Sequence, residues 1–414
     1  MRKMGCSAKV KKNTSNLFFL ILFVLIFAFL VFPGPVYIVL LTLFLAVVPN
    51  FKSHAIAILL MFYFSFLIAS RYSGLVWNGS DDLPSYFLAY DAITNRDLGA
   101  IDASFLYAKH LDFGFIWLTN LINYLSDGNR FIYYFTVVYI SFSIYYLFLY
   151  RVLKGSYALF ALLLFFLFFK NIHLSMHILR SSLAIPMILL SLTFTNYQKL
   201  VFFFFAATLQ ASSAVLAVLT LISRDFLNRF TFIHKFIIFI LSAIAFFIVG
   251  ELYLFGKIRH ARFSIGIGNY PIILSNIIVG VGLILTSYKG ILKTENGFTW
   301  IYLYGYFVFI SLFSIVFSQH TYRFSQFVLY LTPLIIFYSI SSNRCFDYLK
   351  YALVLLYVAA SYYTYYYILN LNESDFYYRE SSDVFINGFS QIRLFFDYIE
   401  FDVGYSSFWR LKHE

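Results

Sequence analysis

Charged residues are scarce in this sequence. Lys, Arg, Asp and Glu make up 12% of its 414 residues, whereas hydrophobic residues make up 61%. Soluble domains carry roughly 25% charged and about 45–50% apolar residues. A chain with so few polar side chains cannot cover its apolar surface in water. The composition therefore predicts one integral-membrane domain, covering residues 17–371, and not a series of soluble domains.

Cysteine is almost absent as well. Cys6 and Cys345 lie far apart and form no CxxC pair, which argues against a disulfide framework or a thiolate metal site. The motifs GxxxxGK[ST], HExxH and GxSxG are missing, and no GxGxxG follows a strand. ATP-driven transport and membrane zinc proteolysis therefore have no support. We expect no metal and no cofactor.

The net charge of +11 does not indicate nucleic-acid binding, because the basic residues are scattered between apolar runs as headgroup anchors. One cluster stands just ahead of the first apolar run: Arg2, Lys3, Lys9, Lys11 and Lys12. By the positive-inside rule it predicts that residues 1–16 form a basic N-terminus in the cytoplasm. At the other end, residues 372–414 form a polar tail with short aromatic pieces that could dock at the interface as an amphipathic helix.

A transmembrane helix needs roughly 20 apolar residues, and about twelve runs come close to that length. We therefore predict an all-α polytopic membrane protein. The predicted spans are 17–32, 36–51, 54–70, 131–150, 156–170, 174–195, 200–222, 230–250, 270–288, 298–317, 324–341 and 351–371.

One long loop, residues 71–130, interrupts this pattern and turns acidic over its first part. It follows three spans, so it faces outward if the N-terminus is inside. Within it, residues 113–125 are amphipathic and too short to cross, which favours an interfacial or re-entrant segment. In that arrangement the C-terminus is cytoplasmic, Arg180 lies outside and Arg323 lies inside. If the segment crosses instead, the C-terminus lies outside.

Polar residues inside membrane spans are costly and often functional. His173, His177 and Arg180 are spaced as one face of a helix. Arginine suits a diphosphate because it donates bidentate, charge-assisted hydrogen bonds. The alternative is that the two histidines reach the interface and Arg180 packs against a buried partner.

Other polar positions allow two interpretations each. Gln210 is a substrate contact or an interhelical hydrogen-bond residue. Arg259 and Arg262 lie in a glycine-containing loop and either bind an anion or anchor the chain at the headgroups. His320 and Arg323 lie between two spans, and they too either bind an anion or anchor the chain at the headgroups.

The long loop holds candidates for carbohydrate chemistry. Asp81 and Asp82 are followed by Tyr86 and Tyr90. Carboxylates hydrogen-bond sugar hydroxyls and aromatic rings stack on sugar faces, although an ordinary solvated loop explains the same residues. Asp112 directly precedes the amphipathic segment, where a general base for a lipid-linked substrate is expected.

These residues occur in an order and spacing that resemble the bacterial Wzy-type O-antigen polymerases, and in particular the EpsG-like exopolysaccharide polymerases. The matching pieces are Asp81-Asp-Leu-Pro-Ser-Tyr-Phe-Leu-Ala-Tyr90, Asp112-Phe-Gly-Phe-Ile-Trp-Leu118, Arg180-Ser-Ser-Leu-Ala184, Gln210-Ala-Ser-Ser-Ala-Val-Leu216 and Tyr322-Arg-Phe-Ser-Gln-Phe327. The chain departs from the family at Asp112, where the family has Glu, and at Gln210, where it has His. Glutamine cannot shuttle protons near neutral pH, so a base role at position 210 is not expected.

The resemblance implies an enzyme of the bacterial inner (cytoplasmic) membrane, similar in fold to the GT-C-like membrane glycosyltransferases, with a periplasmic loop capping the site. It would polymerise undecaprenyl-diphosphate-linked oligosaccharide repeats and release undecaprenyl diphosphate, with a flippase and a chain-length regulator as partners. No nucleotide sugar, metal or nucleic acid is implied. Asp112, Asp81, Asp82 and Arg180 would be catalytic. Substrate contacts would come from His177, Tyr86, Tyr90, Gln210, Arg259, Arg262, His320 and Arg323.

Two alternatives from other functional classes stay open. A lipid-linked oligosaccharide flippase fits the length and the number of spans, but it should line a central cavity with cations and has no need of an acidic outer loop. An O-antigen ligase or membrane acyltransferase would use the same outer face. An acyltransferase would need a catalytic histidine within the membrane, for which His177 is the candidate.

Overall fold

A computed structural model shows how the chain folds. It describes residues 4–48, 51, 54–69, 83–108, 110–153, 155–168, 171–172, 175, 178–194, 196–210, 270–291, 297–317, 322–342, 352–360 and 386–401. Over these ranges the regular structure is helical and contains no strand, apart from one isolated backbone bridge between Pro33 and Asn387. The predicted all-α class is confirmed.

The described residues form fourteen bounded helices in chain order. Their bounds are α1 Met4–Val31, α2 Gly34–Val47, α3 His54–Ala69, α4 Leu83–Thr94, α5 Ala100–Leu106, α6 Phe113–Ser126, α7 Arg130–Leu153, α8 Ser156–Leu167, α9 Leu179–Ser191, α10 Asn196–Leu209, α11 Tyr270–Ile291, α12 Gly297–Phe317, α13 Tyr322–Ser342 and α14 Gly388–Phe401. Residues 352–360 are helical as well.

The long helices run alternately up and down, so the bundle has two ends. We call the end that carries α4, α5 and α6 the loop end. The direction of α13 follows from its contacts: Tyr157, in the first turn of α8, packs on Phe337 with ring centroids 4.8 Å apart. Because α8 starts at the opposite end, Phe337 lies near that end too. Arg323, in the first turn of α13, is therefore at the loop end.

The C-terminal helix α14 also lies at the loop end. The Gly34 amide, in the turn after α1, donates to the Ile386 carbonyl over 3.3 Å. The Asn129 side chain, just before α7, donates to the Ile399 carbonyl over 3.1 Å. Both turns belong to the loop end. Arg180, Arg323 and α14 therefore lie at the same end of the bundle, whereas the favoured span count placed Arg180 and Arg323 on opposite sides of the membrane.

Membrane-spanning character is clearest in α7. Arg130–Leu153 is the one helix among the described residues that is both long and apolar enough for a full crossing, and shorter apolar helices surround it. Large apolar side chains such as Phe23, Phe204 and Leu285 point outward and are exposed, as lipid-facing residues are. Span 230–250 lies outside the described residues.

Aromatic side chains fill the interfaces between the helices. Phe64 stacks on Phe166 with centroids 4.1 Å apart, which joins α3 to α8. Phe307 stacks on Phe327 at 4.2 Å, which joins α12 to α13. Ring pairs of this kind contribute roughly 0.5–1.5 kcal/mol beyond the area that they bury. This aromatic packing holds the helices that carry the loop-end elements in fixed relative positions.

Two segments that the sequence places outside the predicted spans are helical. The outer loop contains α4 and α5 because its apolar positions, Leu83, Tyr86, Phe87 and Tyr90, recur with helical spacing and are all buried. The basic N-terminus continues into the first apolar run as one helix, since α1 is helical from Met4 onward.

The predicted helix over residues 174–195 is interrupted. Ile178 has φ −124° and ψ 70°, and α9 begins only at Leu179. The chain therefore leaves the helical conformation two residues before Arg180. His173 and His177 themselves lie outside the described residues.

Candidate functional site

The site is built around Arg180, in the first turn of α9 at the loop end. Its Nε donates to the Tyr86 hydroxyl over 2.9 Å, and its Nη1 donates to the Asp112 carboxylate in a short ion pair. Its guanidinium carbon also lies 5.8 Å from the centre of the Tyr86 ring. Because the helix breaks at Ile178, α9 begins at the loop end, and the guanidinium of Arg180 lies at this end of the bundle.

Asp112 is held by the start of α6. It stands at the N-cap position, where an aspartate usually accepts a hydrogen bond from its own helix, yet its side chain makes no capping bond. The carboxylate turns to Arg180 instead. The side chains of Asp112 and Arg180 are 10% and 13% exposed. An ion pair this deeply buried is stable only while both partners remain, because either charge alone would be strongly destabilising.

Tyr86 comes from α4, on the face that this helix buries. Its ring centroid lies 5.5 Å from that of Phe115 and 5.9 Å from that of His110. This packing fixes the direction of the hydroxyl that accepts from Arg180. Three separate elements, α4, α6 and α9, thus supply one side chain each to a single hydrogen-bonded group.

His110 is a further member of the site that sequence reasoning missed. It is buried between Tyr86 and Phe115, and its Nδ1 accepts the Asp112 backbone N–H over 3.4 Å. Burial, with a further contribution from Arg180, lowers the pKa of His110 to about 4, although Asp112 acts in the opposite direction. The imidazole is therefore neutral near pH 7. Since Nδ1 accepts a hydrogen bond, the proton resides on Nε2. A histidine two positions before Asp112 was the available sequence signal.

Tyr90 has a different position from Tyr86. Its ring is fully buried and stacks on Tyr133 at 4.4 Å. Its hydroxyl lies 2.7 Å from the Ser126 hydroxyl and donates to the Asn129 carbonyl over 3.3 Å. Tyr90 thus ties α4 to the end of α6. Its hydroxyl therefore belongs to a different set of contacts from Arg180, Asp112, Tyr86 and His110, which together we call the Arg180 group.

A second ion pair anchors α4 to the bundle. Arg130, at the start of α7, donates from Nε to the Asp91 carboxylate over 2.5 Å and from Nη2 in a second, shorter contact. Burial raises the pKa of Asp91, although Arg130 opposes the shift. Bidentate geometry makes this pair directional, so it holds α4, and with it Tyr86, in a defined orientation on α7.

The remaining predicted residues divide into two groups. Gln210 directly follows α10 and is buried, and Thr208, in the last turn of α10, lies against Gly114 at the start of α6. Arg323 belongs to the first turn of α13. Both positions are thus at the loop end, like Arg180. The other candidates lie outside the described residues: Asp81, Asp82, His177, Arg259, Arg262 and His320.

Charge is distributed unequally between the two ends of the bundle. Among the described positions, the charged residues of the opposite end are all basic: Lys9, Lys11, Lys12, Arg151, Lys199 and Lys289. All described acidic positions belong to the loop end: Asp91, Asp97, Asp102, Asp112, Asp127, Asp397 and Glu400. The loop end also carries the basic residues Arg96, Arg130, Arg180, Arg323 and Arg393, so Lys and Arg, which the positive-inside rule counts, are nearly balanced between the two ends.

Chemically, the Arg180 group combines a fixed cation, a carboxylate and a neutral imidazole in a partly dehydrated place. A guanidinium in such a place stabilises a diphosphate anion, and a nearby carboxylate can accept a proton from a hydroxyl group. Within the described ranges, no three His, Cys, Asp or Glu side chains come together as metal ligands would.

Comparison with protein families matches residues 59–382 to the EpsG family. The match begins within α3 and includes α4, α6 and α9, which together hold the Arg180 group. Searches of the curated proteins and of the solved structures found no match.

Proposed function

Because this membrane protein belongs to the EpsG family, we propose that it polymerises undecaprenyl-diphosphate-linked oligosaccharide repeats into an exopolysaccharide or O-antigen. The observation that carries the proposal is the contact of Arg180 with Asp112 and Tyr86 at the loop end. It combines an anion-binding group with a proton acceptor beside the membrane surface, which are the two needs of glycosyl transfer from a lipid diphosphate.

Arg180 serves the leaving group in this proposal. In the transfer, the bond between the anomeric carbon of the growing chain and the diphosphate oxygen breaks, and negative charge develops on that oxygen. A preorganised guanidinium in a site of low polarity stabilises such charge far better than water does. Without substrate, Asp112 neutralises the guanidinium. The incoming diphosphate takes over as its partner and leaves Asp112 available.

Asp112 serves the acceptor. A hydroxyl oxygen of the next lipid-linked repeat forms the new bond to the anomeric carbon, and its proton passes to the Asp112 carboxylate. Undecaprenyl diphosphate leaves with the electron pair of the broken bond. The neutral His110 holds the Asp112 backbone without adding a second cation that would compete for the carboxylate. The basic cluster ahead of the first apolar run supports an N-terminus in the cytoplasm and hence a site on the periplasmic face.

The test is the length distribution of surface polysaccharide in a strain in which this gene is deleted and then replaced by variants. We expect deletion, and Arg180→Ala expressed at wild-type level in the membrane, to reduce the polysaccharide to single repeats. If no repeat reaches the surface after deletion, export has failed before polymerisation, and the proposal is wrong. If Arg180→Ala gives normal chains, Arg180 does not take part.

A further inference from the structure

The loop end carries two helices that are too short to cross a membrane. α6 and α14 have 14 residues each, which makes them about 21 Å long, against a hydrocarbon core of about 30 Å. Each helix packs one face on the bundle and leaves a second, apolar face exposed. Exposed apolar faces of this size mark a surface that contacts a partner.

α6 runs across the loop end and not along the bundle. Its first turn lies at the end of α10, where an added Cβ on Gly114 would overlap Thr208. Its last turn leads directly into α7, and the Asn129 backbone N–H donates to the Ser126 carbonyl over 3.1 Å. The two ends of α6 therefore rest on two different helices at the same end of the bundle.

α14 also connects the ends of two bundle helices. At its start, an added Cβ on Gly388 would overlap Phe29, which is near the end of α1. At its end, the Ile399 carbonyl accepts from the side chain of Asn129, just before α7. Asn129 belongs to the turn after α6, so α6 and α14 end beside each other.

The side chains of α14 divide into three sectors around the helix. Phe395 points to the bundle, and its ring centroid is 4.9 Å from that of Phe135. A second sector is an exposed apolar stripe, because its members recur every three or four residues. They are Phe389, Ile392, Phe396 and Ile399. The exposed Arg393 occupies the third sector. Such a division suits a helix that has protein, lipid and water around it.

α6 exposes a similar stripe, opposite the face that it buries. Its members are Phe113, Trp117, Leu121 and Tyr124. No residue of α6 is charged, and tryptophan and tyrosine are the side chains that concentrate at membrane–water interfaces. We call the exposed stripes of α6 and α14 together the interfacial belt.

The interfacial belt continues the outward-facing apolar surface of the bundle. Thr208, against which α6 begins, lies one turn after the exposed Phe204 on α10. Phe29, against which α14 begins, lies between the exposed Phe27 and Val31 on α1. In a membrane protein these outward side chains face lipid. The partner that reaches the belt from both helices is therefore the lipid, at the level where the bundle ends.

We propose that the interfacial belt lies in the lipid headgroup layer at the loop end. The belt does not depend on the proposed function, but its consequence for catalysis does. Asp112 stands at the N-cap of α6 and pairs with Arg180, so a fixed depth of α6 also fixes the depth of these two groups. They are then held at the level of the diphosphate of a lipid-linked substrate.

Tryptophan fluorescence in phosphatidylcholine nanodiscs tests the proposal, because both membrane faces meet the buffer there. One full-length protein keeps Trp117 and carries Phe at the other three tryptophan positions, Trp77, Trp300 and Trp409. A second protein adds Trp117→Phe and Phe396→Trp. The quenchers are iodide in the buffer and phosphatidylcholine brominated either near the headgroup or at the chain ends.

We expect both tryptophans to lose most of their emission to lipid brominated near the headgroup, less to lipid brominated at the chain ends, and little to iodide. Asp97→Trp in the same background is the matched control, because Asp97 is exposed in the turn between α4 and α5, outside the belt. Its tryptophan should be quenched by iodide and not by brominated lipid. If Trp300→Phe impairs folding, the difference between wild type and Trp117→Phe gives the quenching of Trp117.

Three results would overturn the inference. Quenching by iodide alone would place the belt in water, and protection from all quenchers would mean that a second copy of the chain covers it. Stronger quenching at the chain ends would place the helices in the hydrocarbon core. The test contains no substrate, so a failure of the proposed function leaves these results unchanged and is seen instead in the polysaccharide of the deletion strain.

Discussion

Arg180 and Asp112 are 68 residues apart in the chain, yet their side chains form a buried ion pair. The carboxylate belongs to a short helix at the loop end, and the guanidinium belongs to the first turn of a helix that enters the bundle. The pair therefore joins a surface element to the membrane core at one point. A substrate that separates the two charges gains access to a cation and a base together.

The first prediction concerns Asp112. Asp112→Asn keeps the shape of the side chain but removes the proton acceptor, and it should lower the polymerisation rate at least about 100-fold. It also leaves Arg180 buried without a counter-charge, which should lower the free energy of unfolding by roughly 3–5 kcal/mol.

Asp112→Glu keeps the carboxylate and should retain polymerisation. Rates with purified protein and lipid-linked repeat check this, with the exposed Asp102→Asn as the control. A wild-type rate in Asp112→Asn would exclude the base role.

The second prediction separates two tyrosines of α4. Tyr86→Phe removes the hydroxyl that accepts from Arg180 Nε, so Arg180 loses one of the bonds that orient it, worth roughly 1.5–3 kcal/mol. We expect a tenfold or larger decrease in kcat/KM. Tyr90→Phe removes the bonds of the hydroxyl to Ser126 and Asn129. It should lower the melting temperature and leave kcat/KM nearly unchanged. Equal losses of kcat/KM in the two variants would show that the Tyr86 hydroxyl has no specific role in orienting Arg180 for catalysis.

The third prediction is a pH dependence of stability. The pKa of His110 is about 4 in the folded protein against 6.5 ordinarily, so between these values the unfolded chain binds more protons. The free energy of unfolding should therefore fall as the pH drops from about 6.5 to about 4, and His110 should contribute no pH dependence above that window. Arg180 and Asp112 are the charged groups that face the ring.

Melting curves of wild type and His110→Asn over this pH range check the prediction. Asparagine can still accept the Asp112 N–H but does not titrate, so the difference between the two proteins isolates the histidine from Asp91, whose pKa is also shifted. Parallel curves for the two proteins would contradict the assigned environment of His110.

The fourth prediction concerns topology. Arg393, on α14 at the loop end, and Tyr197, at the start of α10 at the opposite end, are both exposed. In a background without Cys6 and Cys345, Arg393→Cys should react with a membrane-impermeant maleimide added to intact spheroplasts. Tyr197→Cys should react only after the membrane is opened. The reverse pattern would place the Arg180 group in the cytoplasm and would contradict a periplasmic site.

Composition and hydrophobic patterning were sufficient to predict a helical membrane protein, because so apolar a chain cannot remain in water. The sequence also singled out Asp112, Tyr86 and Arg180, since polar residues beside apolar runs are conspicuous. Two local features were open to the same reasoning: the helical spacing within the supposed outer loop, and the histidine two residues before Asp112.

Which of these residues contact one another depends on the packing of distant helices. Tyr86 and Tyr90 lie one turn apart on α4 and look alike in sequence, yet one contacts Arg180 and the other is stacked on Tyr133. The break at Ile178 and the loop-end position of α13 and α14 likewise have no local signal. They depend on contacts between distant segments, such as Tyr157 with Phe337 and Asn129 with Ile399, and helical periodicity describes a single helix, not its partners.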